Sequence, residues 1–360
     1  MELGICVASK IDDIDYIVRA EALGYTHAWI ADSQMIWSDP YAVLALSATR
    51  TSSIRLGTGV AVAPTRPAPV TAASIATINA LAPGRTFLGI GTGNTAMRVM
   101  GHKPMPIAEF DSYLTTLKPL MRGDEAEFRW RGRTALVRHI MPDSGFVNFA
   151  TPIPLYVSGF GPRALGLAGK HGDGVVLSIP PDARYLPGVW ASIERGATAA
   201  GRELDRARFR AASLTTMVVL EPGEARDSAR VRRLCGAFAM ASLHYTYDRW
   251  RQTGQPPGRA VAGLWDAFRD HMERVPAERR HQFIHRGHNC WVEPDEERFL
   301  TGELMDSTCL IGTVAELVDR LGALAEAGLD EITILPPFEP RYEVIEQVAS
   351  EIMPQLQRAP

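Results

Sequence analysis

The sequence predicts an α/β protein with the (β/α)8 TIM-barrel fold. Short apolar runs alternate with amphipathic helical stretches at a spacing of about thirty residues, which is typical of βαβ units in a parallel sheet. Eight strand signals and eight main helical signals can be counted along the 360 residues. One long helical stretch interrupts the series before the last unit. We therefore expect a helical insertion between strand 7 and helix 7 of the barrel.

Each predicted element follows from its local pattern. Strands are expected at short apolar runs, and helices where apolar residues recur three and four positions apart. Gly24 would end the first helix, and Thr313 with Glu316 forms the capping box expected at a helix start. The predicted strands cover residues 3–8, 26–31, 54–60, 86–90, 155–158, 174–178, 208–220 and 331–335. The predicted helices cover residues 12–24, 40–50, 70–81, 107–121, 162–171, 182–200, 313–328 and 342–356.

Two segments depart from this alternation. Between about 127 and 139, the turn Arg131-Gly132-Arg133 predicts an exposed β-hairpin insertion. From about 223 to 306 there is no strand signal, only amphipathic helical stretches rich in arginine and aromatic residues. No separate second domain is indicated, so we expect residues 1–360 to form a single domain that carries these two insertions.

Composition and charge exclude several classes of protein. Apolar residues make up 46% of the chain, and a net charge of −3 with a pI near 6.3 provides no electrostatic basis for binding nucleic acid or an anionic membrane. The four cysteines are scattered without a Cys-x-x-Cys pair, which argues against a zinc site and a disulfide framework. Neither a membrane span nor a targeting segment is indicated, so a cytoplasmic protein is expected.

The strand at 86–90 has a glycine-rich carboxyl end. Its last residues run into Gly89-Ile90-Gly91-Thr92-Gly93, followed by the polar side chains of Asn94 and Thr95. Glycine lets the backbone approach a bulky group closely, and ligands of parallel barrels bind at the carboxyl ends of the strands. A glycine-rich turn without a ligand is the alternative explanation.

A second strand end favours the ligand. Ser158-Gly159-Phe160-Gly161 follows the strand at 155–158, and Pro162 stands at the first position of the next helix. Free backbone amides at the positive end of a helix bind anions. The two strand ends together predict a nucleotide-like cofactor that lies across the mouth of the barrel, with its phosphate at the second strand end.

Several motifs, in this order along the chain, resemble the bacterial luciferase-like superfamily of flavin-dependent oxidoreductases. They are Trp29-Ile30-Ala31-Asp32, Leu56-Gly57-Thr58-Gly59-Val60, Ala73-Ser74-Ile75-Ala76-Thr77-Ile78-Asn79, Gly89-Ile90-Gly91-Thr92-Gly93 and Val157-Ser158-Gly159-Phe160-Gly161. Among the branches of the superfamily, the chain most resembles the one named after methylene-tetrahydromethanopterin reductase. The likeness covers about residues 2–200 and 308–350 and is weak across the helical insertion.

This resemblance implies a flavin-type cofactor at the carboxyl face of the barrel, either FMN or the deazaflavin coenzyme F420. Asp32 would lie near the ring system, Gly59-Val60 would form a cis peptide behind the ring, and the residues around Ser158 would hold the phosphate. The implied cofactor-binding residues are Asp32, Gly59, Val60, Gly91, Gly93, Asn94, Ser158, Gly159, Phe160, Gly161 and Arg163.

One position departs from the family pattern. Many members carry histidine directly after the acid that ends strand 2, whereas this chain has Ser33 after Asp32. Serine cannot donate a proton near neutral pH as histidine does, so this role is vacant or supplied from elsewhere. Asp32, His244 and His288 are the candidate catalytic residues, the two histidines because insertion helices in such barrels fold over the substrate.

A metal site is not expected. His281, His285 and His288 have the spacing of one helical face, but no carboxylate or thiol is placed along the sequence to complete a set of ligands.

The expected activity depends on the cofactor. With FMN, the chain would be a monooxygenase that acts on a small organic substrate with reduced flavin and O2, which the breadth of the superfamily places first. A separate flavin reductase could supply the reduced flavin. With F420, the chain would be a reductase or dehydrogenase that transfers a hydride. A non-catalytic flavin-binding barrel is the alternative from another class. Members of the superfamily commonly form dimers, and the apolar stretch 41–48 would permit a homodimer here.

Overall fold

The computed structural model describes residues 1–356. The strands, in chain order, are β1 (Glu2–Val7), β2 (His27–Ile30), β3 (Arg55–Val62), β4 (Thr86–Gly91), β5 (Ala126–Trp130), β6 (Arg133–Val137), β7 (Leu155–Ser158), β8 (Gly174–Leu177), β9 (Arg210–Thr215), β10 (Met217–Val219), β11 (Leu310–Gly312) and β12 (Glu331–Ile334). The α-helices are α1 (Asp15–Leu23), α2 (Pro40–Arg50), α3 (Ala68–Leu81), α4 (Asn94–Val99), α5 (Ile107–Leu120), α6 (Pro162–His171), α7 (Leu186–Ala199), α8 (Ala229–Thr253), α9 (Trp265–Glu273), α10 (Gly302–Thr308), α11 (Val314–Glu326), α12 (Arg341–Glu351) and α13 (Met353–Leu356).

Eight of these strands close into a parallel barrel. Their order around the barrel is β1, β2, β3, β4, β7, β8, β9 and β12, with β12 pairing back onto β1. In the closing pair, Glu2 of β1 lies opposite Glu331 of β12. Every pairing between neighbouring barrel strands is parallel. Chain order equals spatial order, as right-handed βαβ connections produce. The predicted (β/α)8 barrel is confirmed.

Local signals set the helix ends. Gly24 adopts φ 93° and ends α1, and the Asp39 carboxylate accepts hydrogen bonds from the first amides of α2. The capping box predicted at Thr313 and Glu316 is present at the start of α11. These contacts supply partners for backbone groups that a helix end leaves free.

The seventh strand is shorter than predicted. The single strand expected over 208–220 is divided between β9, which lies in the barrel, and β10, which leaves it to pair in parallel with β11. The reason is that β9 has a partner in β12 only as far as Thr215, whereas Met217 is already opposite Leu310. The predicted helical insertion lies between β10 and β11 and contains α8, α9 and α10.

A β-hairpin projects between α5 and β7. Strands β5 and β6 pair antiparallel from Ala126 opposite Val137 to Trp130 opposite Arg133. Arg131 and Gly132 at the turn both have positive φ, which is typical of the turns that match the twist of a hairpin. The division of the chain into one domain stays a prediction. In the part of the chain described here, no helix combines the length and the apolar character that crossing a membrane requires.

The barrel interior is filled by aromatic rings that pack against glycines. Trp29, Phe87 and Tyr156 have ring centroids 4.4 to 5.5 Å apart. A β-carbon at Gly57 would lie 2.3 Å from the Phe87 ring, and one at Gly174 would lie 2.5 Å from Tyr156. These glycines therefore make room for aromatic rings of the neighbouring strands.

Replacing Gly57 with alanine is expected to lower the free energy of unfolding by about 1–3 kcal/mol. The added methyl group would also meet the Phe87 carbonyl oxygen at 2.4 Å, and backbone cannot move aside cheaply. Chemical denaturation followed by circular dichroism measures the change. Gly188→Ala is the matched control, because nothing lies within 4 Å of its added carbon. Equal stabilities of the two variants would contradict the packing described here.

A buried polar cluster lies at the amino end of the barrel. The Glu331 carboxylate accepts hydrogen bonds from Trp29 Nε1 at 2.8 Å and Thr333 Oγ1 at 3.0 Å. His27 Nδ1 lies 3.1 Å from Glu331 Oε2, and Arg210 Nη2 lies 3.8 Å from the same oxygen. Burial raises the pKa of Glu331 to about 7 and lowers the pKa of His27 to about 3.

Candidate active site at the carboxyl ends of the strands

A candidate anion site lies where β7 leads into α6. Gly161 is the N-cap residue of α6 and Pro162 its first residue, and no side chain caps the first turn. A β-carbon at Gly161 would meet nothing within 4 Å. The first amides of a helix have no intrahelical partner and lie at its positive end, so an anion can bind there. We call Ser158, Gly159, Gly161 and the first turn of α6 the anion site. Phe160 and Arg163 beside it are exposed.

The glycine-rich end of β4 lies directly beside this anion site. β4 and β7 are neighbouring parallel strands, with Ile90 opposite Val157, so their carboxyl ends open on the same side of the barrel. A β-carbon at Gly91 would lie 3.2 Å from the Ser158 Cβ and 3.1 Å from the Val60 Cγ2. Val60 and Ser158 are half-buried, and they flank Gly91 on its two sides.

Several predicted glycines serve the packing of the protein itself. A β-carbon at Gly59 would lie 2.5 Å from the Trp29 Cβ, and one at Gly93 would lie 2.6 Å from the Val62 Cγ1. Gly89 would meet the Thr58 carbonyl oxygen at 2.3 Å. The argument that the glycines at the end of β4 keep the backbone bare for a ligand is therefore wrong for Gly89 and Gly93, because protein atoms already fill that space.

The end of β3 contains the cis peptide that the resemblance implies. The bond between Gly59 and Val60 is cis, and the pairing of β3 with β4 shifts register between Thr58 and Ala61. Asn94, at the start of α4, accepts a hydrogen bond from Arg98 Nε at 2.8 Å through its side-chain oxygen. The Asn94 amide group is therefore oriented by its own helix.

Asp32 is buried and fully engaged by protein donors. Its carboxylate accepts hydrogen bonds from the Val62 amide at 3.1 Å, from Arg66 Nη1 at 2.5 Å and from the Gln34 side chain. Burial raises the pKa of the Asp32 carboxyl, and the Arg66 guanidinium acts in the opposite direction. Arg66 also pairs with Asp39 at the start of α2. Asp32 thus joins the ends of β2 and β3 and positions Arg66.

Three aromatic side chains form what we call the roof cluster: Trp37, Tyr245 and His288. Tyr245 OH lies 2.6 Å from Thr95 Oγ1 and 3.4 Å from His288 Nε2. The rings of Trp37 and His288 lie 5.5 Å apart. Trp37 follows β2 and Thr95 follows β4, and β3 lies between those strands in the barrel. The roof cluster therefore spans the carboxyl end of β3.

The two candidate catalytic histidines have different surroundings. His288 belongs to the roof cluster and is buried, and burial together with His285 and His244 lowers its pKa. His244 Nε2 lies 3.1 Å from Glu296 Oε1, and its ring stacks on Phe268. The structure thus brings His288 to the rim of the barrel and leaves His244 among residues of the insertion.

The expectation that three histidines of the insertion share one helical face is wrong. His281 lies in a short 3-10 helix, Arg280–Gln282, whereas His285 and His288 lie in the turns at 283–290, where Gly287 and Asn289 have positive φ. Two histidines of the insertion each pair with one carboxylate, since His285 Nε2 lies 2.9 Å from Asp248 Oδ2 and His244 Nε2 lies 3.1 Å from Glu296 Oε1. The partners are separated by 37 residues in the pair of His285 and Asp248 and by 52 residues in the pair of His244 and Glu296, so sequence spacing could not predict them.

Ser33 stands directly after Asp32 in the loop that follows β2. It is buried, and its carbonyl oxygen accepts the amides of Ile36 and Trp37. Tyr245 and Arg66 were not predicted as site residues. The sequence around Asp32 does not indicate that Arg66 is its partner. Tyr245 contacts Thr95, which lies 150 positions away in the sequence, so local spacing could not predict this contact.

Comparison with known proteins places this geometry in a family. A family model described as luciferase-like monooxygenase matches residues 9–331. The 5,10-methylenetetrahydromethanopterin reductase of Archaeoglobus fulgidus is 28% identical over 360 aligned residues, covering 96% of each chain. The F420-dependent glucose-6-phosphate dehydrogenase of Intrasporangium calvum is 26% identical, covering 95% of this chain and 94% of its own.

Solved structures agree on the fold. The oxygenating component of 3,6-diketocamphane monooxygenase from Pseudomonas putida, in complex with FMN, superposes with a TM-score of 0.66 at 18% identity, covering 99% of this chain and 98% of its own. The prediction of an oxidoreductase enzyme is confirmed by the relatives. This chain belongs to the luciferase-like monooxygenase family.

Proposed function

We propose that this chain is an F420-dependent oxidoreductase that transfers a hydride to or from a small organic substrate. FMN-dependent monooxygenase, placed first from the sequence, becomes the alternative. We prefer F420 to FMN because the chain is similar, over nearly its whole length, to a methylenetetrahydromethanopterin reductase and to an F420-dependent dehydrogenase. The insertion is included in that likeness, so it is not limited to the common barrel.

The arrangement of strand ends fits a cofactor of this kind. β3, β4 and β7 are consecutive in the barrel, and neighbouring strands lie about 4.8 Å apart. The anion site and the end of β3 are therefore about 10 Å apart, which suits a phosphate at one end of a ribityl chain and a ring system at the other. Ser158, Gly161 and the amide of Phe160 would hold the phosphate, with Arg163 as a nearby positive charge. The Gly159 amide donates to the Val176 carbonyl oxygen at 3.4 Å, so Gly159 would contribute to the shape of the anion site and not a hydrogen bond.

The residues of the chain would orient the reactants and exclude water. When bound, the deazaflavin supplies hydride transfer without activating oxygen. Gly59, Val60 and Gly91 would line the ring and ribityl side. The roof cluster would cover the site, which strengthens polar interactions beneath it. Asp32 would act through Arg66 by holding the ends of β2 and β3 together, since its carboxylate is already engaged.

FMN also carries a ribityl phosphate, so the anion site by itself suits both cofactors. The FMN alternative is favoured by the family to which the chain belongs and by the FMN complex of the diketocamphane enzyme. A homodimer through α2 and a cytoplasmic location remain expectations from the sequence.

Titration of the purified protein with F420 and with FMN tests the proposal. We expect F420 to bind with at least about tenfold higher affinity, a difference of about 1.4 kcal/mol. Fluorescence of each cofactor reports the dissociation constant. Tighter binding of FMN, together with oxygen consumption by the reduced flavin complex, would establish the alternative. Absence of binding by both would refute an enzyme of either type.

A further inference from the structure

The Tyr245 hydroxyl is a titratable group of the roof cluster at the candidate site. It lies on α8 of the insertion, is half-buried, and its hydroxyl contacts Thr95, which directly follows the rim residue Asn94. The other neighbour of the hydroxyl is His288. The hydroxyl is therefore fixed in position beside the end of β4, next to the strand end where the ring system of the cofactor is proposed.

The surroundings keep this hydroxyl protonated. Burial raises the pKa of Tyr245 to about 12, and the hydrogen bond with Thr95 acts in the opposite direction. His288 is neutral, because burial and its two histidine neighbours lower its pKa. Asn289 Nδ2 lies 3.1 Å from His288 Nε2 and can only donate, so this nitrogen is an acceptor. Tyr245 is thus a neutral donor at physiological pH.

A neutral tyrosine at this place suits one class of substrate. We propose that the substrate is an alcohol or its carbonyl compound, and that the Tyr245 hydroxyl donates the proton to the substrate oxygen. This inference rests on the proposed F420-dependent function. It also supplies the proton donor that Ser33 cannot provide.

The proton and electron balance of the step is simple. In the reducing direction, a hydride from the reduced deazaflavin adds to the carbonyl carbon, and the electron pair of the C=O π bond moves to oxygen. That oxygen takes the Tyr245 proton, because an alkoxide is more basic than tyrosinate. The tyrosinate accepts a hydrogen bond from Thr95 and regains a proton from water. Oxidation of the alcohol is the reverse. Reduction of a methylene group held between two pterin nitrogens also takes a hydride and a proton, but that proton goes to the nitrogen that is released and not to an oxygen, so a donor placed for a carbonyl oxygen does not serve it.

The test uses the F420-loaded protein and three defined probes: cyclohexanone, 4-(dimethylamino)benzaldehyde and 5,10-methylenetetrahydrofolate. We expect the reduced holoenzyme to reduce a carbonyl probe and not the folate. Tyr245→Phe should lower that turnover by about 100-fold or more, as loss of a general acid does, with an unchanged dissociation constant for F420. Tyr247→Phe is the matched control on the same helix, because its buried hydroxyl has no hydrogen-bond partner within residues 1–356.

A second measurement does not depend on turnover. The absorption band of 4-(dimethylamino)benzaldehyde moves to longer wavelength when its oxygen accepts a hydrogen bond. We expect this shift with the wild type and with Tyr247→Phe, both loaded with oxidised F420, and its loss with Tyr245→Phe. Turnover of the folate alone, no turnover of any probe, or equal behaviour of the two variants would overturn the inference. If F420 itself does not bind, the proposed function fails first, which the F420 titration shows separately.

Discussion

Replacing Gly161 with aspartate is expected to lower the affinity for F420 by about 100-fold or more, which is about 2.7 kcal/mol of binding free energy. Gly161 is the N-cap residue of α6, and a β-carbon added there would meet no atom within 4 Å. An aspartate there would cap the free amides with its own carboxylate and repel a phosphate from the anion site. Fluorescence titration of F420 measures the loss.

The fold should tolerate this change. Aspartate and asparagine are the preferred N-cap residues, so both variants should be at least as stable as the wild type. Gly161→Asn is therefore the matched control, since it caps the helix without adding a charge, and we expect it to weaken F420 binding less than Gly161→Asp does. If Gly161→Asp bound F420 with wild-type affinity, the phosphate would not bind at this helix end, and the cofactor would have to bind elsewhere on the barrel.

The second large effect concerns stability against pH. Glu331→Gln is expected to be more stable than the wild type at pH 8 by about 3 kcal/mol, a gain that disappears towards pH 4.5. The pKa of Glu331 is about 7 in the folded protein, against 4.5 for the free side chain. The folded state therefore binds the proton more tightly, and its stabilising effect is lost as the pH rises through 7. Glutamine stays neutral and can still accept the hydrogen bond from Trp29.

Urea denaturation of both proteins from pH 4.5 to pH 8 measures this difference. His27 acts with the opposite sign, because its lowered pKa removes stability as the pH falls below 6.5 towards 3. Because His27 Nδ1 lies 3.1 Å from Glu331 Oε2, the two contributions are coupled, and the comparison is read above pH 6.5, where His27 is neutral in both states. Glu326→Gln, at an exposed position of α11, is the control and should show no such trend. A stability difference that does not change with pH would mean that Glu331 is ionised throughout.

Much of the barrel could be predicted because its signals are local. The start of α6 at Pro162, the capping box at Thr313 and the tight hairpin turn at Gly132 each depend on residues within a few positions of one another. The alternation of apolar strands with amphipathic helices predicts the other barrel elements. The anion site follows from the same kind of signal, since strand end, glycine and proline are contiguous in sequence.

The other parts depend on contacts that sequence spacing does not contain. Asp32 is held by Arg66 from 34 positions away, and Tyr245 meets Thr95 only because the insertion folds back over the barrel. The histidine spacing suggested a helix, but two residues with positive φ turn that segment into loops. The glycines at the end of β4 were also interpreted as space for a ligand, although at Gly89 and Gly93 atoms of the protein itself occupy that space.

The short pairing of β10 with β11 has a consequence for how this enzyme can diversify. The chain leaves the barrel after Thr215, and the insertion runs from the end of β10 at Val219 to the start of β11 at Leu310. A ladder of three residue pairs between β10 and β11 ties these two points to each other. The insertion between them, which includes Tyr245 and His288, is consequently joined to the chain at one short ladder and meets the barrel rim at Thr95 and Trp37, whereas the anion site belongs to the barrel itself. Under the proposed function, selection could remodel which molecules are accepted without touching the machinery that retains the coenzyme.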